Sequence, residues 1–203
     1  MKKITAAVLL SILLATLSLA SCQNADGGTD NTAGISSDGT EASEPPGRME
    51  LKNELASFES LDLDGNAVTG DIFAVNKLTM VNIWGTRCPY CIDEMPDLAK
   101  LSDDYADRGF AILGIISNVV SDGRSIDETN AGDARYIIEE TGVNYTNIVV
   151  TENVYNLFLS DVSAIPTTIF VDENGNKVGK TFLGAKSYDE WADIIESLLE
   201  EVG

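Results

Sequence analysis

The chain contains no histidine, and its 13 Lys and Arg stand against 33 Asp and Glu. The missing imidazole removes Ser-His-Asp and Cys-His catalysis, and with them every metal site that needs a histidine ligand. The shortage of cations, for a formal net charge of −20, argues against nucleic acid as a partner, because grip on a phosphate backbone relies on clustered Lys and Arg. Cysteine is scarce as well: there are three, so one thiol is left over from any pair. No internal repeat is visible. Apolar residues, by contrast, make up 44% of the 203 positions, well above the level of disordered chains. The length suits one domain with extensions, or at most two small ones.

Residues 1–21 read as an address rather than as part of the fold. Lys2 and Lys3 supply a positive start, and Ile4 to Leu19 is almost wholly apolar, short for a membrane span and closed by small residues. Leu19-Ala20-Ser21-Cys22 resembles the lipobox of bacterial lipoproteins. The resemblance implies that Cys22 becomes the new N-terminus and carries the lipid; an ordinary signal peptide with a chance cysteine is the alternative. Loss of Lys2 and Lys3 leaves 11 bases against 33 acids, a net charge of −22. That charge repels anionic headgroups, so attachment would rest on acyl chains and not on a basic patch. Residues 22–49 then form an acidic tether, rich in Gly, Ser, Thr, Asn, Asp and Glu, with Pro45-Pro46-Gly47 and only Ile35 as a large aliphatic residue. A flexible segment of this length reaches roughly 25–30 Å.

Residues 50–203 remain for one domain. Phe58 to Leu63 and Ala67-Val68 read as strand and return strand around Asp64-Gly65-Asn66. Leu78 to Trp84 is the nearly continuous apolar run expected of a strand buried on both faces. Ile92, Met95, Leu98, Leu101 and Tyr105 then follow a helical period that stops at Gly109. Phe110 to Ile116 is a second buried strand, followed by a polar stretch from Ser121 to Gly132 and a helix over Ala134 to Thr141. Asn147 to Val150 reads as a short strand and Glu152 to Leu159 as a short helix. Thr167 to Val171 and Val178 to Leu183 bracket the turn Asp172-Glu173-Asn174-Gly175. Ser187 and Glu190 predict a capping box for a last helix whose stripe is Trp191, Ile194, Ile195, Leu198, Leu199 and Val202. This order predicts an α/β fold: a central mixed sheet flanked by helices, with an N-terminal β-hairpin extension.

The chemistry concentrates in Trp84-Gly85-Thr86-Arg87-Cys88-Pro89-Tyr90-Cys91. Two cysteines two residues apart sit where a strand hands over to a helix. Free N–H groups and the helix dipole there favour a thiolate, most strongly at the first cysteine, and Arg87 would add to this if its side chain turned inward. Cys88 is therefore the candidate nucleophile and Cys91 the resolving thiol. Pro89 suits the first helical turn, where its missing N–H sacrifices nothing. An inert structural disulfide and half of a zinc site are the competing readings; the second would need ligands that this chain lacks.

The same segment resembles the Trp-x-x-x-Cys-x-x-Cys signature of thioredoxin-like oxidoreductases. Glu94-Met95-Pro96 is similar to the Glu-x-Pro continuation of the membrane-anchored TlpA/ResA type, and Ile165-Pro166-Thr167 is similar to the cis-proline loop of that family. The resemblance implies a thioredoxin-like fold, with Pro166 cis and facing the two sulfurs. It implies that Glu94 tunes thiol acidity or relays a proton, a solvated helix charge being the plain alternative. Substrate would meet Trp84, Pro89, Tyr90 and Ile165. No cofactor is implied beyond a redox-active Cys88–Cys91 disulfide, and no metal. Implied partners are oxidised exported proteins, such as apocytochrome c or methionine sulfoxide reductase, and a membrane thiol carrier as electron donor.

Two departures stand out. Asn82 occupies the position where thioredoxin buries a carboxylate, and cannot shuttle a proton; Pro89-Tyr90 between the cysteines is glutaredoxin-like. The expected activity is that of a lipid-anchored extracytoplasmic disulfide reductase. An oxidase or isomerase is the alternative, because the intervening pair influences the reduction potential. A Cu(I) metallochaperone fits less well, since the copper-handling branch resembled uses a wider cysteine spacing plus a histidine.

Overall fold

The computed structural model describes residues 54–121 and 125–203. The expected signal segment, Cys22 and the tether lie outside the described residues.

A short hairpin comes first, with β1 (Glu59–Leu61) antiparallel to β2 (Ala67–Thr69). The apolar run becomes β3 (Leu78–Trp84), buried at all seven residues. Helix α1 (Pro89–Tyr105) buries Met95, Leu98, Leu101 and Tyr105 along one stripe, and β4 (Phe110–Ile116) has its expected bounds. The next stretch departs from expectation. β5 (Val120–Ser121) pairs with β6 (Ser125–Ile126), and α2 (Glu128–Thr141) begins six residues before Ala134. The reason is a cap: the Asp127 side chain accepts from the backbone N–H groups of Thr129 and Asn130, both at 3.0 Å, satisfying two donors that a helix start leaves free. Ala131 and Ala134 are the buried residues of this helix, too small to print an apolar period on the sequence.

β7 (Thr146–Val149) precedes α3 (Glu152–Val154), which widens at once into a π turn over Tyr155–Leu159; the expected helix to Leu159 is thus only partly α-helical. β8 (Thr167–Asp172) and β9 (Lys177–Leu183) form the last hairpin. Helix α4 (Tyr188–Val202) starts with the capping box of Ser187 and Glu190.

Five strands make one mixed sheet in the order β7-β4-β3-β8-β9, in which β3, β4 and β7 are parallel, β8 is antiparallel to β3, and β9 is antiparallel to β8. This is a thioredoxin-like fold, with β1 and β2 as its N-terminal addition. Alternation along the strands splits the core between two faces. Leu78 and Met80 of β3, Phe110 and Phe170 meet Leu98 and Leu101 of α1 and Trp191 and Ile195 of α4. On the other face Val81, Ile83, Leu113, Ile115 and Val171 pack with Phe58, Phe73, Val154 and Phe158.

One row across the sheet breaks the apolar pattern. Register places Thr168 of β8 beside Asn82 of β3, Asn82 beside Gly114 of β4, and Gly114 beside Asn147 of β7. Asn82, Asn147 and Thr168 are all buried. Buried polar groups are tolerated only when paired, and the partners of this row lie at the adjoining site.

Candidate active site

The site sits where β3 passes into α1. The Ser117 N–H donates to the Trp84 carbonyl at 2.8 Å, extending the pairing one residue past the strands. The chain then turns within four residues, the Cys88 N–H donating to the Gly85 carbonyl at 3.1 Å. Cys88 is the N-cap of α1, in extended backbone conformation, and Pro89 opens the first turn. The Cys88 sulfur accepts from the Cys91 N–H at 3.2 Å, so the sulfur takes the place that a Ser or Asp oxygen usually fills at a helix start. Cys88 and Cys91 form a disulfide with their Cα atoms 5.3 Å apart. Cys88 is 7% exposed and Cys91 1%, which leaves Cys88 as the sulfur nearer to a partner.

The loop before β8 closes the other side. The Ile165–Pro166 peptide bond is cis, and the Ile165 carbonyl oxygen lies 3.7 Å from the Cys88 sulfur. Pro166 is buried and Ile165 half-buried. Around the disulfide, Arg87, Pro89 and Tyr90 are exposed, Tyr90 at 72%. Arg87 therefore points its charge at solvent and not inward. Trp84 is a correction to the expected substrate surface. It is fully buried, and its indole N–H donates to Asn147 Oδ1 at 2.8 Å. The indole is a support beneath the site, sealed from anything that docks there. The Asn147 side chain has room to reach it because Gly114 carries none: a Cβ there would collide with the Asn147 amide.

Glu94 is no solvated helix charge. It is 3% exposed, one helical turn after Cys91 on α1. Its Oε1 accepts from Asn82 Nδ2 at 3.1 Å, and its Oε2 accepts from the Lys186 N–H at 3.2 Å and the Trp191 indole at 3.3 Å. The same Asn82 nitrogen has a second N–H, which donates to Thr168 Oγ1 at 3.1 Å. Burial pushes the Glu94 carboxyl above the usual carboxylate range, and the Asn82, Lys186 and Trp191 donors only partly offset it. The buried carboxylate that Asn82 cannot supply is thus delivered from the helix above, and Asn82 holds it. Nearby, the Tyr145 hydroxyl is buried without a hydrogen-bond partner among the described residues, its pKa driven far up by burial and secondarily by the charge of Glu94.

The structure thus brings Cys88, Cys91, Pro166 and Ile165 together and adds Glu94 through a network the sequence does not announce. Thr168, Trp191 and the Lys186 backbone join that network across more than 80 positions. Only Trp191 carries a signal, as a large aromatic in the first turn of a capped helix; nothing local marks the other two.

Known proteins bear on this geometry. The family model described as Redoxin matches residues 50–196. Among curated proteins, the thiol-disulfide oxidoreductase ResA of Halalkalibacterium halodurans is 25% identical over 145 residues, covering 70% of this chain and 76% of that one. Among solved structures, a thioredoxin-family thiol:disulfide interchange protein of Chlorobium tepidum superposes with a TM-score of 0.60 at 23% identity, covering 73% of this chain and 97% of the other. A secreted Mycobacterium tuberculosis disulfide oxidoreductase gives 0.56 at 19%, covering 71% and 98%. At such identities the solved structures speak for the fold alone.

Proposed function

We propose, from the premise that this chain belongs to the Redoxin family and is a thiol–disulfide oxidoreductase of the TlpA/ResA type, that it reduces disulfides of exported proteins from a lipid anchor on the outer face of the cell membrane. The observation that carries the reading is the graded pair of sulfurs: Cys88 at the helix start beside the Ile165 carbonyl, and Cys91 enclosed behind it.

In the reduced protein the Cys88 thiolate attacks one sulfur of a substrate disulfide. A Cys88–substrate disulfide forms, and the displaced substrate sulfur leaves as a thiolate that takes up a proton. Cys91, once deprotonated, attacks the Cys88 sulfur; the Cys88–Cys91 disulfide forms and the second substrate sulfur is released. Two electrons and two protons pass to the substrate, and an external dithiol carrier at the membrane restores the pair. Glu94, three residues after Cys91 on one helix face, is the acid–base group proposed for the Cys91 proton. Substrate would lie over Pro89, Tyr90 and Ile165. Oxidised exported proteins such as apocytochrome c or methionine sulfoxide reductase fit this chemistry.

Direction follows from what stabilises the thiolate. A dithiol whose reduced form is strongly stabilised is an oxidant, and one whose thiolate is disfavoured is a reductant. A buried carboxylate and a chain charge of −20 disfavour a second negative charge at the sulfurs, and the outward-facing Arg87 does little to offset them. Equilibration with a thiol buffer tests this. A potential below about −200 mV supports the reductase, and one at or above about −180 mV makes the protein an isomerase or oxidase. Cys91→Ser should trap a mixed disulfide through Cys88, whereas activity retained in Cys88→Ser refutes the assignment of the nucleophile. Cys22→Ala should release the protein from the membrane fraction, and a mature N-terminus other than a modified Cys22 sinks the anchor.

A further inference from the structure

The turn that presents Cys88 is held by groups from outside its own segment. Gly85 to Cys88 is closed by one internal hydrogen bond, from the Cys88 N–H to the Gly85 carbonyl. A four-residue turn with a single internal bond does not by itself fix the sulfur at its end. Within it, Thr86 is largely buried although it lies in a surface loop between two buried elements. Its backbone N–H donates to Asn118 Oδ1 at 3.1 Å, and its hydroxyl oxygen accepts from Asn118 Nδ2 at 2.8 Å. One side-chain amide therefore grips both the main chain and the side chain of the same turn residue. This is a two-point contact that fixes orientation as well as position.

Asn118 is itself well placed to act as a fixed jaw. It follows β4, where the Ser117 N–H bonds to the Trp84 carbonyl, so the two strands are locked together one residue before the clamp. Gly85 allows the jaws to close. A Cβ there would come within 3.0 Å of Ser117 Oγ, 3.1 Å of Ile165 Cδ1 and 3.3 Å of Asn118 Oδ1. The turn is thus pressed between the loop after β4 on one side and the cis-proline loop on the other.

We infer that Asn118 is a positioning residue for thiol–disulfide exchange: by clamping Thr86 it holds the turn that keeps the Cys88 sulfur on the Cys91 N–H. With the clamp gone, Gly85 to Cys88 gains freedom and the sulfur spends less time at the helix start. Less thiolate forms, and attack on a disulfide slows. The inference rests on the reading of Cys88 as the attacking thiol.

The test uses the reduced full chain. It compares the second-order rate with a small aromatic disulfide and the ultraviolet absorbance of the thiolate at one pH, in variants shown to be folded by circular dichroism. Asn118→Ala should lose roughly tenfold in rate, within the roughly hundredfold that an ångström of misplacement can cost, and lose thiolate absorbance with it. Thr86→Ser keeps both bonds and should stay near the wild type, whereas Thr86→Val loses the hydroxyl half and should fall between. The Asn118→Ala/Thr86→Val double variant should be no slower than Asn118→Ala alone, because both changes break one clamp. A folded Asn118→Ala that reacts at the wild-type rate overturns the inference, as do losses that multiply in the double variant. If Asn118→Ala fails to fold, Thr86→Val decides: a wild-type rate overturns the inference, and a slowed rate restored in Thr86→Ser supports it. Activity retained in Cys88→Ser shows separately that the nucleophile is wrong, and overturns both readings.

Discussion

Replacing Glu94 with Gln removes one buried charge and nearly nothing else, which makes it a sharp probe of the site. Cys91 and Glu94 are three residues apart on α1, a spacing that brings their Cβ atoms to about 5–6 Å. Two unit charges at about 7 Å interact by about 2.4 kcal/mol at an effective permittivity of about 20. That corresponds to a displacement of about 1.7 pH units in the thiol. Both side chains are almost fully enclosed, so solvent and salt do little to weaken the interaction. Glu94→Gln should therefore lower the Cys91 thiol pKa by about 1–2 units. The assay is a pH titration of the reduced protein, following the carbon NMR shift of Cys91 Cβ. The two groups are coupled, so the wild-type titration reports values of the pair, and the comparison with the Gln variant isolates the charge. A displacement below about 0.3 unit, the size expected of a screened surface pair, would refute the placement of Glu94 as the partner of the thiol.

The same carboxyl leaves a mark on stability. Its folded pKa is raised by burial above the unfolded value of about 4.3, so its contribution to stability is fully present below that value and is lost as pH rises through the folded pKa. In urea unfolding of the oxidised protein, wild type should lose stability relative to Glu94→Gln as pH climbs from about 4 upward; a difference that stays flat with pH rules this out. Gly114→Ala should cost about 2–4 kcal/mol, since its methyl would collide with the Asn147 amide and press on the Trp84 indole, breaking their buried hydrogen bond. An unfolding free energy within about 0.5 kcal/mol of wild type would show that the row across the sheet can relax.

What the sequence determined by itself is what local physics can write into neighbouring residues. Leu78–Trp84 and Phe110–Ile116 were legible to the residue, because a strand buried on both faces reads as a nearly continuous apolar run. The capping box of Ser187 and Glu190 and the paired cysteines at a strand–helix junction were legible for the same reason. The start of α2 was not, because its signal is one cap residue and its buried face is alanine. Tertiary structure alone decided the rest. Trp84 belongs to the signature motif, yet register and the bare backbone of Gly114 bring Asn147 across to its indole and turn it into a buried support. Asn82 looks like a lost catalytic carboxylate until the packing of α1 on the sheet lowers Glu94 onto its amide. The grip of Asn118 on Thr86 joins residues 32 positions apart. Each depends on which strands lie side by side and at which register, and hydrogen bonds between side chains distant in sequence leave no period or motif along the chain from which to read them.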